Sequence, residues 1–313
     1  MSYTDTERQR AIDWKASTEA LPETARPAAP YGRSGEKEYE FCLPLEHAEL
    51  NLLPEVREVG LEFFRDENVA WHKSVDGGPS NHLLSSQVQC VNALGAMVHD
   101  PARIVSAFAG PLGTADVLEI EPGRHLTWEY IGPTDFFGEG NGEQRTRGAN
   151  CTSVDAAFLH VTTDGVRELA LVEWKYTEHY GRRTADPVKD ATRVGRYEQF
   201  MIAPDSPVRA DAWPTWQWFD DPLYQLMRQQ LLAHQLEKAR VLDVDRVRVA
   251  HVLPKANIEF QKSIHRDEQK AVGSTVYEAW RSVLVHTDRW VPIDSEIFLD
   301  PAITSAEYVA RYG

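Results

Sequence analysis

The segment Leu169–Tyr176 constrains the fold most, because it is an apolar run that also carries an acid and a lysine. Side chains alternate along a β-strand, so Glu173 and Lys175 would project from the same face, about 7 Å apart. Apolar residues fill most other positions on both faces, which is typical of a central strand in a covered sheet. Burying charged side chains at the end of such a strand costs free energy, so we expect them to be there because a functional site requires them. The sequence therefore predicts a buried strand that ends in a functional acid–lysine pair.

A second acid upstream gives this pair a context that spacing alone does not. The acid-any-lysine pattern occurs three times, at Asp13-Trp14-Lys15, Glu173-Trp174-Lys175 and Glu268-Gln269-Lys270. Only the middle one follows an apolar strand and has a partner acid, Asp155, in another strand-like segment. Asp164-Gly165 lies between the two strands and indicates a tight hairpin. Such a hairpin would bring Asp155 and Glu173 to the same end of the sheet, an arrangement typical of a divalent metal site.

These residues resemble the active-site motif of the PD-(D/E)XK nuclease superfamily. The motif reads Val154-Asp155, seventeen intervening residues, then Glu173-Trp174-Lys175, with Val154 in place of the family's usual proline. It looks most like the restriction-endonuclease-like bacterial branch, and the detailed match covers about residues 80 to 260. The resemblance implies an endonuclease that depends on Mg²⁺, with Mn²⁺ as a substitute, and that acts in restriction or defence. It implies DNA as the substrate, without excluding RNA. Asp155 and Glu173 would hold the metal, and Lys175 would position or activate the attacking water.

In this superfamily the first core helix often supplies another acid that contacts the metal through water. The corresponding helix here has no acid, and Gln87 could take this place through its amide oxygen. Capping of the helix N-terminus explains the polar residues there equally well. Glu129, in the preceding strand, is another candidate acid, although we expect it to be exposed. His179 is expected to be a surface histidine rather than a general base.

The order of predicted elements matches the αβββαβ core of the restriction-endonuclease-like fold. We predict an α/β protein with a mixed central sheet flanked by helices, and with helical elaborations. The core elements are predicted at 83–99, 125–131, 153–162, 168–176, 190–201 and 247–253. Further helices are predicted at 45–64, 101–109, 222–240 and 275–285, followed by a mostly irregular tail. One domain would span 37–313, with a helical insertion at about 203–240 and a polar N-terminal lead at 1–36.

The net charge of −15 is the main objection to a nuclease, because Lys and Arg supply most of the affinity for nucleic acid. Local clustering of basic residues can overcome such an average. The basic residues around the motif are Arg145, Arg147, Arg182, Arg183, Lys189, Arg193 and Arg196. A solvated helix face explains them equally well. Three dispersed cysteines, the absence of a signal peptide and the lack of a long apolar run predict a cytoplasmic protein without a membrane segment.

Two other functions stay open beside the nuclease. One is a catalytically inactive nuclease-fold protein that binds nucleic acid or another protein, which the acidic charge favours. The other is a carbohydrate-directed hydrolase, for which the cluster Trp213–Trp218 could bind sugars, although the lysine would then have no clear purpose. We expect that cluster to be a hydrophobic plug. An apolar stripe at Leu223–Leu236 predicts a core or dimer helix, which leaves a homodimer open, with Arg228, Gln229 and Gln230 on its polar face.

Overall fold

A mixed six-stranded sheet forms the centre of the computed structural model, which describes residues 1–140, 142 and 144–313. The strands, in chain order, are β1 (Ala29–Pro30), β2 (Glu38–Tyr39), β3 (Thr114–Leu118), β4 (Leu126–Tyr130), β5 (Val154–Thr162), β6 (Arg167–Trp174), β7 (Arg246–Leu253) and β8 (Trp290–Asp294). The first two form a small separate pair. The others follow the order β3, β5, β6, β7, β8, with β4 also paired to β5.

The hairpin of β5 and β6 is the antiparallel part of the sheet that the sequence predicted. Gly165 lies in its turn at φ +79°, a left-handed conformation that glycine adopts without steric cost. β7 runs parallel to β6, and β8 runs parallel to β7. On the other side of β5, β4 pairs with its first half and β3 with its second half, both antiparallel. The prediction of a mixed sheet is therefore confirmed.

Helices cover both faces of this sheet, as the predicted fold class requires. They are α1 (Tyr3–Ser17), α2 (Pro54–Asp66), α3 (Ser86–Leu94), α4 (Pro101–Leu112), α5 (Pro187–Met201), α6 (Leu223–Lys238), α7 (Ile258–Gln261), α8 (Asp267–Val272), α9 (Val276–Val283) and α10 (Ala306–Tyr312). One hydrophobic core joins α1 to α4 and α10 to one sheet face, and includes Phe158 and Trp174. The second joins α5, α6, α7 and α9 to the other face, and includes Leu169 and Leu171. None of the described helices is long and apolar enough to cross a bilayer.

Some predicted boundaries were wrong because local sterics or distant pairing overrode the apolar pattern. The predicted helix at 45–64 is a 3₁₀ segment, Leu45–Asn51, followed by α2. Leu53 is extended (φ −64°, ψ 148°), as residues before proline usually are, and the break precedes Pro54. The tail was expected to be irregular, but it contains β8, which pairs with β7, and α10, which packs into the first core. β3 was not predicted.

The predicted division into a lead at 1–36 and one domain at 37–313 stays a prediction. Within that lead, α1 packs against α10 and places Ala11 and Trp14 in the first core. The ammonium of Lys15 donates to the carbonyl oxygens of Pro27 and Glu40, at 2.7 and 2.9 Å. The predicted insertion at 203–240 contains α6, which packs on β7 in the second core.

Strand β6 carries a fully buried acid at its start as well as Glu173 near its end. Glu168 hydrogen-bonds to His160 Nε2 at 3.1 Å and pairs with Arg248 at 2.6 Å and with Arg246. Burial raises the pKa of Glu168, but the hydrogen bond from His160 and the charge of Arg248 outweigh it and lower the pKa. The two arginines therefore balance the negative charge of Glu168, and the group forms a structural ion cluster. The acids at the other end of the hairpin lack such compensation.

Candidate active site

The hairpin brings the two predicted metal-binding acids together at one end of the sheet. Strands β5 and β6 pair Ala156 with Val172, and one step further in this register Asp155 lies opposite Glu173. Cross-strand partners share a face, so both carboxyl groups lie on the side of the second core. The backbone N–H of Trp174 donates to Asp155 Oδ2 at 2.6 Å and holds this carboxyl group at the strand end. The geometry that the turn dipeptide predicted is thus present.

Lys175 is bonded directly to Glu173, within a site that is almost closed to solvent. Its Nζ lies 2.6 Å from Glu173 Oε1, and the two side chains are only 8 % and 3 % exposed. The backbone N–H of Lys175 donates to the carbonyl oxygen of Val252 at 2.9 Å, which extends the pairing of β6 with β7. The amide Nε2 of Gln229, from α6, donates to Glu173 Oε2. Glu173 is therefore held from two sides.

Glu129 is a third buried acid near this pair, and our expectation that it would be exposed was wrong. It is 7 % exposed, and its Oε1 accepts a hydrogen bond from Gln87 Nε2 at 2.7 Å, while its Oε2 accepts one from Ser153 Oγ at 3.0 Å. Its backbone has φ +47°, in the left-handed region that few non-glycine residues adopt. Such strain is commonly kept at functional sites. Gln87 thus contacts Glu129 and neither predicted metal ligand.

Three acids and one lysine give this end of the sheet an excess of buried negative charge. Burial, with the charges of Glu173 and Glu129, raises the pKa of Asp155 well above its usual range. Burial alone lowers the pKa of Lys175, but nearby Glu173, Tyr180 and Asp155 outweigh it and raise the pKa. The lysine is therefore an ammonium at neutral pH. A divalent cation would relieve the repulsion among the carboxylates.

The pKa of Glu129 predicts a measurable pH dependence of stability in the metal-free protein. Burial raises this pKa from 4.5 to about 7, so the acid favours folding fully below pH 4.5 and loses that contribution as the pH rises through 7. We expect the unfolding temperature in chelator to fall over this range, and to fall less in Glu129→Gln. Thermal unfolding at stepped pH measures this. Exposed Glu119→Gln is the control, and an undiminished fall in Glu129→Gln would contradict the assignment.

The residues at the strand end fit a magnesium ion in the chemistry of their donors. Mg²⁺ prefers oxygen ligands, keeps several waters and takes one or two protein carboxylates, which Asp155 and Glu173 supply. Gln229 Oε1 is buried without a hydrogen-bond partner in the described part of the chain, and could accept from a coordinated water. No cluster of three or more His, Cys, Asp or Glu side chains suited to a metal occurs among the described residues. A site with two carboxylates and waters needs no such cluster.

Two contacts at the site were not predicted from the sequence. Gln229 and Gln230 were placed on the polar face of α6, which was wrong, because they are only 1 % and 2 % exposed. His251 of β7 is the register partner of Glu173 and is also buried, which lowers its pKa well below the usual range. Its Nδ1 lies 2.8 Å from the Tyr277 hydroxyl. Adjacent glutamines within an apolar helical stripe were the signal that could have indicated the Gln229 contact.

Comparison with known families agrees with this geometry. The chain matches, over residues 8–313, the model of a family described as restriction endonuclease associating with ARP. It belongs to this family. The match confirms the resemblance to restriction-endonuclease-like proteins and indicates a nuclease role in restriction or defence for this family member. No curated protein and no solved structure gives a significant match.

In this restriction endonuclease family member, five of the basic residues near the motif divide into two groups: three pair with acids, and two line a cavity. Arg183 and Arg193 pair with Asp190 at 2.8 and 3.0 Å, and Arg147 pairs with Glu121 at 3.1 Å. Two others, Arg145 and Arg196, line the wall of a cavity. His179 is exposed, as expected. Within the tryptophan cluster, Trp213 and Trp218 are buried in the second core, as a hydrophobic plug would be, while Trp216 is 42 % exposed.

Proposed function

We propose that this chain is a Mg²⁺-dependent endonuclease that hydrolyses phosphodiester bonds of DNA at the end of the β5–β6 hairpin. The observation that carries the proposal is the strand register that sets Asp155 opposite the buried Glu173, with the Lys175 ammonium 2.6 Å from Glu173. In the described part of the chain Glu168 is paired with two arginines, whereas Glu173 is paired with Lys175 alone. Membership of a restriction endonuclease family supports the same reaction.

Asp155 and Glu173 would hold the metal, with Mn²⁺ as an acceptable substitute. Bound there, the ion supplies Lewis-acid polarisation of the scissile phosphate and lowers the pKa of a coordinated water. Trp174 N–H orients Asp155, and Gln229 orients Glu173, so both carboxylates are preorganised. Gln87 remains a proposed outer contact. In the structure its Oε1 accepts from the backbone N–H of His72 at 2.8 Å, and its amide nitrogen holds Glu129.

Lys175 would stabilise negative charge that develops on the phosphate during hydrolysis. Its raised pKa keeps the ammonium protonated at neutral pH, so it cannot serve as a general base there. A fixed positive charge in a water-poor site is most effective at such stabilisation. We therefore assign charge stabilisation and positioning of water to Lys175, and proton removal to solvent.

The proposal extends to the cellular role and the assembly of the protein. A restriction or defence function, carried out in the cytoplasm and together with the ARP of the family's description, is our proposal. The acidic net charge of −15 favours the second candidate, a protein of this fold that binds nucleic acid or a partner without cutting it. A homodimer, which would permit cleavage of both strands, belongs to the same proposal.

A cleavage assay tests the proposal directly. We expect wild-type protein with 10-fold stepped Mg²⁺ or Mn²⁺ to nick or linearise plasmid DNA, and chelator to stop the reaction completely. Single-stranded DNA and RNA of matched length identify the preferred substrate. Metal binding is measured in parallel by calorimetry. If the protein cleaves none of these substrates and binds no metal, the proposal is overturned in favour of the binding-only candidate.

A further inference from the structure

A cavity of about 630 Å³ lies between the segment that leads into β5 and the helices α5 and α6, and its described wall includes three arginines and two tyrosines. The lining residues that matter here are Arg145, Arg196, Arg228, Tyr197, Tyr224 and Glu139. Its volume falls within the range of about 300 to 1,000 Å³ that is usual for ligand sites. It is thus large enough for a small polar ligand rather than a single water.

Two elements connect this cavity to the proposed catalytic residues. Arg228 lies in α6 next to Gln229, which contacts Glu173. The Nε of Arg228 donates to Thr152 Oγ1 at 3.0 Å, and Thr152 lies three residues before Asp155. The cavity and the site therefore share α6 and the segment that leads into β5.

The charge of the described cavity wall is opposite to that of the whole protein. The chain has a net charge of −15, yet the described part of the cavity wall holds Arg145 and Arg228 beside one acid, Glu139. That acid pairs with Arg228 at 3.4 Å, and it also accepts from the backbone N–H and the hydroxyl of Thr152, both at 2.7 Å, so it leaves the charge of Arg145 without a counter-charge from Glu139. The balance of charge in the described wall therefore favours an anionic ligand.

Arg145 and Arg228 are held in place, which suits them to recognise a planar or tetrahedral anion. Arg145 donates to the carbonyl oxygens of Ile131 and Gly132, at 3.0 and 2.9 Å. These bonds use two of the five donors of a guanidinium. The guanidinium carbons of Arg193 and Arg228 lie 4.7 and 5.2 Å from the centroid of the Tyr224 ring, within cation–π distance. Anchored arginines lose little conformational entropy when they bind phosphate.

We propose that this cavity binds one nucleotide unit of the nucleic-acid strand, with its phosphate on Arg145 and Arg228. The inference rests on the proposed nuclease function and specifies where the strand lies next to the cleaved bond. It also explains how a strongly acidic protein can hold a polyanion, because local basic charge replaces the missing global charge. A free nucleotide carries the same phosphate chemistry as a nucleotide unit within a strand, so the test must distinguish these two ligands.

Fluorescence anisotropy of a labelled oligonucleotide tests the proposal without any need for cleavage. The measurement uses the full chain with Asp155→Asn, so the strand stays intact. We expect Arg145→Gln to weaken binding about tenfold, as loss of one charged hydrogen bond would. The slope of log affinity against log salt should decrease in magnitude by about 1. Arg65→Gln, on α2 at the other sheet face, is the control and should change neither quantity.

A second variant guards against a folding defect in Arg145→Gln. Gln144 is exposed and lines the cavity, so Gln144→Glu adds a negative charge there and should also weaken binding. Unchanged affinity and salt slope in both variants would overturn the proposal. Binding of free deoxynucleoside monophosphate that depends on Arg145, without any effect on the oligonucleotide, would also overturn it. Strand binding that depends on Arg145, together with no cleavage by the wild-type protein, would refute the nuclease but not this site.

Discussion

Asp155→Asn should abolish metal-dependent cleavage while leaving the protein at least as stable as the wild type. The carboxylate is one of two proposed metal ligands, and loss of a preorganised charge at a reacting centre typically costs about a hundredfold or more in rate. The burial and neighbouring acids that raise the pKa of Asp155 make its ionised form unfavourable in the folded chain. Asparagine removes this charge, and its oxygen can still accept from Trp174 N–H.

The sign of the stability effect follows from the direction of the pKa shift. A raised pKa means that Asp155 favours folding below its ordinary value of 3.8 and loses this contribution as the pH rises above it. At neutral pH in chelator, Asp155→Asn should therefore unfold at the same or a higher temperature than the wild type. Ligand that binds only the folded state stabilises it, by about 2.7 kcal/mol at a hundredfold excess over Kd. We expect Mg²⁺ to stabilise the wild type in this way, and not the variant.

Plasmid cleavage and thermal unfolding with stepped Mg²⁺ measure both parts of this prediction. Asp116→Asn, at an exposed position of β3, is the matched control and should behave as the wild type in both assays. Full cleavage activity in Asp155→Asn would remove this residue from the site. A loss of activity accompanied by a large drop in unfolding temperature would instead assign a structural role to the carboxylate.

Lys175→Met should both inactivate the protein and destabilise it strongly. The ammonium is the cation bonded to Glu173, and both side chains are nearly closed to solvent. Removing one partner of a buried ion pair typically costs about 3 to 5 kcal/mol, because the other charge remains uncompensated. Here the nearby carboxyl groups of Asp155 and Glu129 would repel the uncompensated charge of Glu173 and add to this cost. Unfolding in urea and a cleavage assay report the two effects.

A double variant separates the structural part of this effect from the catalytic part. Glu173→Gln with Lys175→Met removes both charges, so most of the lost stability should return, while cleavage should stay absent. Lys238→Met is the matched control, because its pair with Asp205 is exposed and such pairs contribute about 1 kcal/mol or less. If the double variant recovers activity together with stability, the ion pair is structural and the nuclease assignment of Lys175 fails.

The predictable part of the site depended on local sequence rules. Alternation along a strand put Glu173 and Lys175 on one face, and Asp164-Gly165 specified the turn that set Asp155 opposite Glu173. Such local rules did not predict the burial of Glu129. Its charge suggested exposure, but bonds to Gln87 and Ser153, with a left-handed backbone, keep it buried.

Longer-range pairing explains the other differences between expectation and structure. β3 and β8 carry little local pattern, since an edge strand acquires its conformation from its neighbour, β5 or β7. The contact of Gln229 with Glu173 joins residues 56 positions apart, and no periodicity in α6 indicates which strand end the helix covers. The tail likewise becomes ordered only because α10 has a core to fill.

The sequence by itself determined the hairpin, the face of its charged residues and the mixed α/β class, because each follows from backbone geometry over a few neighbouring residues. Only the tertiary structure decided that the charges of Asp155 and Glu129 act on the Glu173–Lys175 pair, that an amide from α6 holds Glu173, and that arginines line a cavity at the same helix. These features depend on which distant segments pack together, and packing sets burial. Burial in turn sets the electrostatic energies that make this end of the sheet suited to a metal ion.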